Sequence, residues 1–430
     1  MQLPPQFVEL IQRQLPSDEA ERLCLALQEE PAVSVRLNPL KTDIRLSLPR
    51  VPWCEGAYYL PSRPPFTFDP LLHAGLYYVQ EASSMYLSEV LRQYLPQEPQ
   101  LALDLCAAPG GKTTLLLSQL PEGSLLVSNE PEPRRAAVLL ENVLKWGSPS
   151  CVVTQNKPDD FARFPSAFDL LLTDVPCSGE GMFRKEPQAL AQWSLENVSL
   201  CQRRQRGILS SAWSALKPGG LLVYSTCTFN RLECEDNTRW IARNLGAELL
   251  SERHFYPHLD RGEGFFIAAL RKHGEPQATA FPSAKPQPLP MLRGDFSLQT
   301  TPQSRTALPS RHAAFILRLC RDLRVIGSGV PLAGLRGREW LPSPSLALSA
   351  AYVRGTYPEL DLSYAEALAY LRREALRLAA PQGIVLLTFR RHPLGFAKSV
   401  GGRANNLYPR GGGGGATAAG SARGGRGGGE

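Results

Sequence analysis

The chain has 430 residues, ordinary hydrophobic content and a formal charge of +7, from 47 Lys and Arg against 40 Asp and Glu. That length exceeds one ordinary core and predicts two or three domains, while no apolar run approaches the roughly 20 residues that span a bilayer as a helix. Nine cysteines lie scattered without a C-x-x-C pair or a His/Cys cluster, which argues against a disulfide framework and against a metal site.

Arginine far outnumbers lysine among the cations, and planar guanidinium groups suit phosphate and base contact. The N-terminus "MQLPPQFVEL" has no basic region followed by an apolar stretch, so no secretory signal is read and a cytoplasmic protein is expected. Residues 1–95 mix amphipathic helix ("PQFVELIQRQL", "DEAERLCLALQEE") with "SVRLNPLK" and the proline-rich "LPSRPPFTFDP", and read as a small α+β region. Over residues 96–272 the pattern changes. "LALDL", "SLLVSNE", "CVVT", "FDLLLTD" and "GGLLVYST" are short, apolar and bounded by turn residues, as doubly buried strands are. "KTTLLLSQL" and "EPRRAAVLLENVLKWG" between them read as helices, the second ended by Gly147. The alternation predicts an α/β unit, an open and mainly parallel sheet with helices on both faces. Residues 273–310, rich in Pro, Gln, Ser and Thr, read as a linker. A second α+β unit is expected over 311–410, with a helix at "SYAEALAYLRREALRL". Residues 411–430, "GGGGGATAAGSARGGRGGGE", are low complexity and expected to be disordered, either as a plain tail or as an arm that touches RNA.

"DLCAAPGGKTT" (104–114) resembles half of a phosphate clamp. Gly111-Lys112-Thr113 fits the end of G-x-x-x-x-G-K-[ST], but Cys106 stands where the first glycine belongs, and G-x-G-x-x-G fails as well. The turn joins the carboxyl end of a strand to a helix, where ligands of open parallel sheets sit. Glu130, at the end of the next strand, occupies the position of a ribose-gripping acid. A small-residue turn with a ribose acid and no phosphate cradle fits a nucleoside with a non-phosphate tail, and S-adenosylmethionine is the cofactor expected.

"FDLLLTDVPCSGEGMFRKEP" puts Asp174 at a strand tip and Cys177 in the turn beyond it, and "GGLLVYSTCTFNRLECED" puts Cys227 at the tip of the next strand. Two thiols at adjacent tips beside a methyl donor point to covalent chemistry on a pyrimidine. Carbon 5 of cytosine is a poor nucleophile until a thiolate adds at carbon 6; the resulting enamine then attacks the methyl group. Asp174 suits the exocyclic amine and ring nitrogen 3, favouring cytosine over uracil.

Taken together, "DLCAAPGGKTT", "DVPCSGEG" and "YSTCT" resemble the Nol/Nop/Sun family of RNA cytosine-5 methyltransferases over about residues 30–272. The resemblance implies a Rossmann-like class I S-adenosylmethionine-dependent methyltransferase sheet. It implies Cys227 as nucleophile and Cys177 as the residue that assists product release. It carries the cofactor site onto Cys106, Ala107, Ala108, Pro109, Gly110, Gly111, Lys112, Glu130 and Asp174. "SVRLNPLK" (Arg36, Asn38, Lys41) and "YYVQEASS" (Gln80, Glu81) also resemble family blocks near the RNA and the active site. One position departs. The family has an acid near the adenine after the third strand, where "TQNKPDDF" has Lys157; Asn156, Asp159 or Asp160 stand in for it.

"HPLGFAKSVGGRANNLYPRG" is similar to the end of RsmF-type bacterial members, which carry a PUA-like RNA-binding module there; Lys398, Arg403, Asn405, Asn406 and Tyr408 would offer an RNA surface. Arg184 and Lys185, just past the Cys177 turn, read either as contacts to phosphate or base or as plain exposed cations. The expectation is an rRNA (cytosine-5-)-methyltransferase, acting as a monomer without metal on 16S rRNA or the small ribosomal subunit. A tRNA substrate, and a non-catalytic RNA-binding assembly factor, stay as alternatives.

Overall fold

The computed structural model describes residues 2–276 and 282–409; the tail read at 411–430 lies outside them. The N-terminal helices Pro5–Gln14 and Ser17–Ala26 precede a three-stranded antiparallel sheet of β1 (Val33–Leu37), β2 (Ala57–Leu60) and β3 (Tyr77–Val79), in the order β2-β1-β3. The five apolar runs then form β4 (Leu101–Asp104), β5 (Leu125–Asn129), β6 (Cys151–Thr154), β7 (Phe168–Asp174) and β8 (Leu216–Thr226), followed by β9 (Ala247–Phe255) and β10 (Phe265–Lys272). These lie in the order β6-β5-β4-β7-β8-β10-β9. β4 to β8 run parallel, and β10 enters antiparallel between β8 and β9.

Every residue of β4 is buried because both faces are covered. Leu101, Leu103 and Leu105 pack with Phe161, Phe168, Leu209 and Ile316 on one side. Ala102 packs with Leu126, Leu170, Leu116 and Leu139 on the other. Each such aliphatic or aromatic side chain contributes about 1.5–3 kcal/mol by leaving water, which is why continuous apolar runs predict this sheet. The helix Pro133–Trp146 is capped by Glu132, whose carboxylate accepts from the N–H groups of Arg134 and Arg135, and it stops at Gly147 with φ +86°.

The polar block "SVRLNPLK" ties the N-terminal sheet to the helices Gly111–Gln119 and Pro133–Trp146. Arg36 is buried; its guanidinium donates to Gln80 Oε1 (2.9 Å), Thr114 Oγ1 (2.7 Å) and Gly111 O (3.3 Å), and lies 4.6 Å from the Trp146 ring centroid. Burial pulls its pKa down to about 10. Asn38 donates to Gly75 O and Trp146 O. Lys41 Nζ donates to Ala74 O and Lys145 O at the end of that helix, and burial pulls its pKa to about 7. These three side chains satisfy backbone carbonyls that would otherwise be stranded between two layers.

The C-terminal third differs from expectation in three ways. Residues read as linker form β11 (Phe296–Thr300) and β12 (Ser304–Pro309), polar strands that leave little apolar signature. The helix Ala313–Asp322 packs Phe315, Ile316 and Leu319 into the same core as β4, and β13 (Val325–Ser328) pairs antiparallel with β6 as an eighth strand of the large sheet. So 311–328, read with the C-terminal unit, belongs physically to the catalytic layer. β14 (Val330–Arg336) and β15 (Glu339–Pro342) then complete a four-stranded sheet with β11 and β12. β16 (Glu359–Asp361), β17 (Gly383–Phe389), β18 (His392–Ser399) and β19 (Ala404–Asn406) form the last sheet. The helix read over "SYAEALAYLRREALRL" covers only Tyr364–Leu371. It begins with a capping box of Ser363 and Glu366, and the chain turns away at Arg373 with φ +65°, because Leu376 and Leu378 are needed in the core beside it.

Candidate active site

Parallel strands bring their carboxyl ends to one edge, and β4, β5, β7 and β8 deliver the residues expected there. The loop from Leu105 to Gly110 leaves β4 and opens the helix Gly111–Gln119. Gly110 has φ +115°, a conformation that favours glycine. Arg135 Nη2 donates to Ala108 O (3.0 Å) and pairs with Glu130 (3.4 Å), so the acid at the tip of β5 and the small-residue loop share one cation. Cys106 lies among the carboxylates of Asp104, Asp174 and Glu130; burial, then those charges, hold its thiol far above the ordinary range.

Lys112 Nζ pairs with Asp174 Oδ2 at 2.8 Å and lies 4.9 Å from the Phe265 ring centroid. Burial works against its charge, but Asp174 and then Cys227 outweigh it, and its pKa is raised. Asp174 also accepts from Ser225 Oγ (2.7 Å). Beyond this pair, Cys177 and Cys227 are 3.1 Å apart, sulfur to sulfur, as free thiols. The Cys227 sulfur, followed by burial, pushes the Cys177 thiol well above its ordinary pKa.

The two cysteine loops are joined by a buried network that the sequence patterns did not single out. Glu180 is fully buried; one oxygen accepts from Thr228 Oγ1 (2.6 Å), Phe229 N (2.8 Å) and Asn230 N (2.9 Å), the other from Trp193 Nε1 (2.9 Å) and Asn230 Nδ2 (3.1 Å). Glu233 accepts from Ser178 N (3.0 Å), Gln205 Nε2 (2.6 Å) and Asn230 Nδ2 (2.8 Å), and burial raises its pKa to about 7. Gly181 N donates to Cys227 O (3.0 Å), and a Cβ on Gly181 would collide with Gly264 O, so this crossing admits only glycine. Asp104 is a second residue the motifs left unused. It is buried, Oδ2 accepts from Thr113 (2.7 Å), and Oδ1 has no partner among the described residues; burial first, and Asp174 nearby, raise its pKa to about 7.

Other candidates fall elsewhere. Arg184 is a buried strut, donating to Glu263 Oε2 (2.9 Å), Gly262 O and Ala26 O, while Lys185 is half-buried 3.4 Å from the other Glu263 oxygen. Glu81 binds the N–H groups of Ser83, Ser84 and Glu263. After β6, Asn156 is engaged by the backbone of Arg324, and Asp160 by Lys157 N and Arg163, whereas Lys157 and Asp159 are exposed. At the C-terminal end, Asn406 and Tyr408 pack against Tyr370, Lys398 pairs with Glu339, and Arg403 and Asn405 are exposed. Among the described residues no cluster suits a metal ion, and no helix is long and apolar enough to cross a membrane.

Three family models match the chain in sequence: 16S rRNA methyltransferase RsmB/F over residues 92–271, the N-terminal domain of 16S rRNA methyltransferase RsmF over 3–82, and the methyltransferase RsmF PUA domain over 357–411. Ribosomal RNA small subunit methyltransferase F of Salmonella agona is 32% identical over 463 aligned positions, covering 95% of this chain and 96% of that protein. The Salmonella heidelberg protein of the same name is 31% identical over the same shares. Among solved structures, a methyltransferase homolog protein from Pyrococcus horikoshii superposes with TM-score 0.54 at 26% identity, over 63% of this chain and 100% of that one. NSun6 from Pyrococcus horikoshii with SFG gives 0.54 at 20% identity, over 63% and 99%, and shares the fold. The sheet order, the paired cysteines at its carboxyl edge and these matches along nearly the whole length agree: the chain belongs to the ribosomal RNA small subunit methyltransferase F family.

Proposed function

We propose that the chain is an S-adenosylmethionine-dependent RNA cytosine-5 methyltransferase that acts on 16S rRNA of the small ribosomal subunit, with Cys227 as nucleophile. The observation that carries the reading is the pair of sulfurs 3.1 Å apart beside the Lys112–Asp174 ion pair. The residues at the loop fit the cofactor. The unpartnered, buried Oδ1 of Asp104 is a spare acceptor for an N–H group, Glu130 suits ribose hydroxyls, and Cys106 to Gly111 offer backbone without bulk. When bound there, S-adenosylmethionine supplies an electrophilic methyl group.

The protein's own part runs through two sulfurs. Two thiols at this distance do not both ionise, and Cys177 keeps its proton because the Cys227 sulfur and burial raise its pKa. Lys112, kept charged by Asp174, lies within electrostatic reach of the Cys227 sulfur. The Cys227 thiolate forms a bond to carbon 6, and the electron pair displaced onto carbon 5 makes that carbon the nucleophile. Asp174 accepts from the exocyclic amine of the base. Once Cys227 is a neutral thioether, the largest influence raising the Cys177 pKa is gone. Cys177 then ionises more readily, takes the carbon 5 proton, and Cys227 leaves as the ring regains aromaticity. The target base must leave its stack to reach the sulfurs, so a loop or a locally opened helix is the expected substrate.

The test is bisulfite sequencing of ribosomal and transfer RNA from cells carrying the intact protein or Cys227→Ala. Loss of one protected cytosine in 16S rRNA supports reaction, substrate and nucleophile together. Loss of a site in tRNA instead would overturn the substrate, and no loss anywhere would favour a binding protein without catalysis.

A further inference from the structure

The small-residue loop is held from an unexpected direction. Asn129, at the end of β5, is buried; its Nδ2 donates to Leu105 O (3.2 Å), and its backbone carbonyl accepts from Ala107 N (2.9 Å). The same side chain grips Asn156: Oδ1 accepts from Asn156 N (3.0 Å) and Nδ2 donates to Asn156 O (3.0 Å). The side chain of Asn156 turns outward and makes the same two-point contact with Arg324, accepting from its N–H (3.0 Å) and donating to its carbonyl (3.2 Å). Gln155 N also donates to Arg324 O (2.9 Å), and immediately beyond it Val325 pairs with Thr154 to begin β13. Arg163 Nη1 holds Asp322 O (2.8 Å) on the other side. An unbroken series of hydrogen bonds therefore runs from Arg324 through two asparagine amides into the loop Leu105–Ala107.

Neither amide has a donor or acceptor group left idle, and an asparagine suits this task because it donates and accepts at once in a fixed plane. The lysine at 157, the position where the resemblance expects an adenine-side acid, follows directly after this strut. We infer that the C-terminal segment Asp322–Ser328 is part of the cofactor site, and that Asn156 is the positioning residue through which it holds the cofactor loop. The inference rests on the reading of that loop as the cofactor's seat. It assigns Asn156 to the loop's support instead of to contact with the adenine ring, and it makes cofactor affinity depend on a strand that follows β6 by some 170 residues of chain.

The experiment uses the full-length protein and two variants that attack the strut from opposite ends. Asn156→Ala removes both contacts to Arg324. Gly327→Val leaves Asn156 intact but brings a Cβ into collision with Leu140 Cδ1, so Leu140 or β13 must shift, and faster hydrogen exchange across 325–328 confirms that the strand is the part that moves. Titration calorimetry with S-adenosylmethionine and with S-adenosylhomocysteine is expected to show binding weakened about tenfold in each variant, the size of effect that follows from losing one or two net hydrogen bonds. The double variant should bind no worse than the weaker single one, since both cut the same path. The loss should fall chiefly on the KM for S-adenosylmethionine, with a smaller change in the KM for RNA. Hydrogen exchange at the Ala107 amide should speed up in both variants, with or without ligand. Weakening by Asn156→Ala alone, with Gly327→Val unchanged, would make Asn156 a direct ligand and overturn the inference; additive losses would do the same. If the unaltered protein binds neither compound, the cofactor reading fails. The strut is then judged on Ala107 exchange alone, and unchanged exchange refutes it.

Discussion

Replacing Glu180 by Gln tests whether the buried carboxylate sets the distance between the two sulfurs. The change keeps shape and volume but turns one acceptor oxygen into a donor. The structure decides which side suffers: one oxygen takes three donors and the other two, Trp193 Nε1 and Asn230 Nδ2. The amide nitrogen is forced toward the pair, where two N–H groups lose their acceptor. Hydrogen bonds to a charged group are worth about 1.5–3 kcal/mol each. Removing the negative charge beside Glu233 returns part of that loss, so a net destabilisation of about 3 kcal/mol is expected. Against a total of about 5–15 kcal/mol the fold survives, but the loop carrying Cys177 loses its ties to Trp193 and the Asn230 side chain, and its three bonds to residues 228–230 weaken as the acceptor loses its charge. A displacement of about 1 Å at reacting groups costs on the order of 100-fold in rate. Denaturant unfolding gives the first number, and single-turnover methylation with saturating RNA and S-adenosylmethionine gives the second. A Glu180→Gln protein with stability within about 1 kcal/mol and a rate within about threefold of the unaltered one would refute the argument.

Asp104 gives a prediction in pH. Its folded pKa of about 7 lies above its ordinary value of 3.8. Between those values the folded state holds a proton that the unfolded chain has released, so stability falls as pH rises, by up to about 1.4 kcal/mol per unit. Glu233 acts in the same sense. Asp104→Asn should flatten part of that slope in urea unfolding at about pH 5 and about pH 8, while weakening cofactor binding; an unchanged slope would contradict the assignment. Arg184→Ala removes one half of a buried ion pair and leaves Glu263 with Lys185 alone. A loss of about 3 kcal/mol is expected, with RNA affinity of the folded protein unchanged; a tenfold loss of RNA affinity at full stability would instead make Arg184 a contact to phosphate.

The catalytic sheet was legible because a strand buried on both faces writes itself as a continuous apolar run, and β4 to β8 each did so. Gly147 was legible as a helix stop for an equally local reason. What stayed illegible shares a cause. The packing roles of Arg36, Asn38, Lys41 and Arg184 leave no local signal, because each satisfies carbonyls between packed layers and only the tertiary arrangement supplies those carbonyls. β11 alternates Phe296 and Leu298 with Ser297 and Gln299, but over only five positions in a stretch rich in Pro, Gln, Ser and Thr, so the alternation is too short to stand out without the neighbouring strands. Glu180 and Glu233 sat in plain view inside "SGEGMF" and "ECED", but a lone glutamate carries no periodic signal, and burial is what gives it meaning. The helix before Arg373 was read too long because the apolar spacing continues past its end, where Leu376 and Leu378 serve a strand-like path instead.

The eighth strand has a consequence for how the protein is made. β6 is complete once residue 154 has left the ribosome, but the strand that covers its open edge lies at 325–328. At an elongation rate of about 5–20 residues per second, nascent chains carry an uncovered, apolar sheet margin for many seconds, the kind of template that recruits foreign strands. The order of sequence and the order of the sheet are thus at odds at one place. A shortened product ending between residues 272 and 325 keeps all seven earlier strands of the large sheet and still lacks the one that shields it from aggregation.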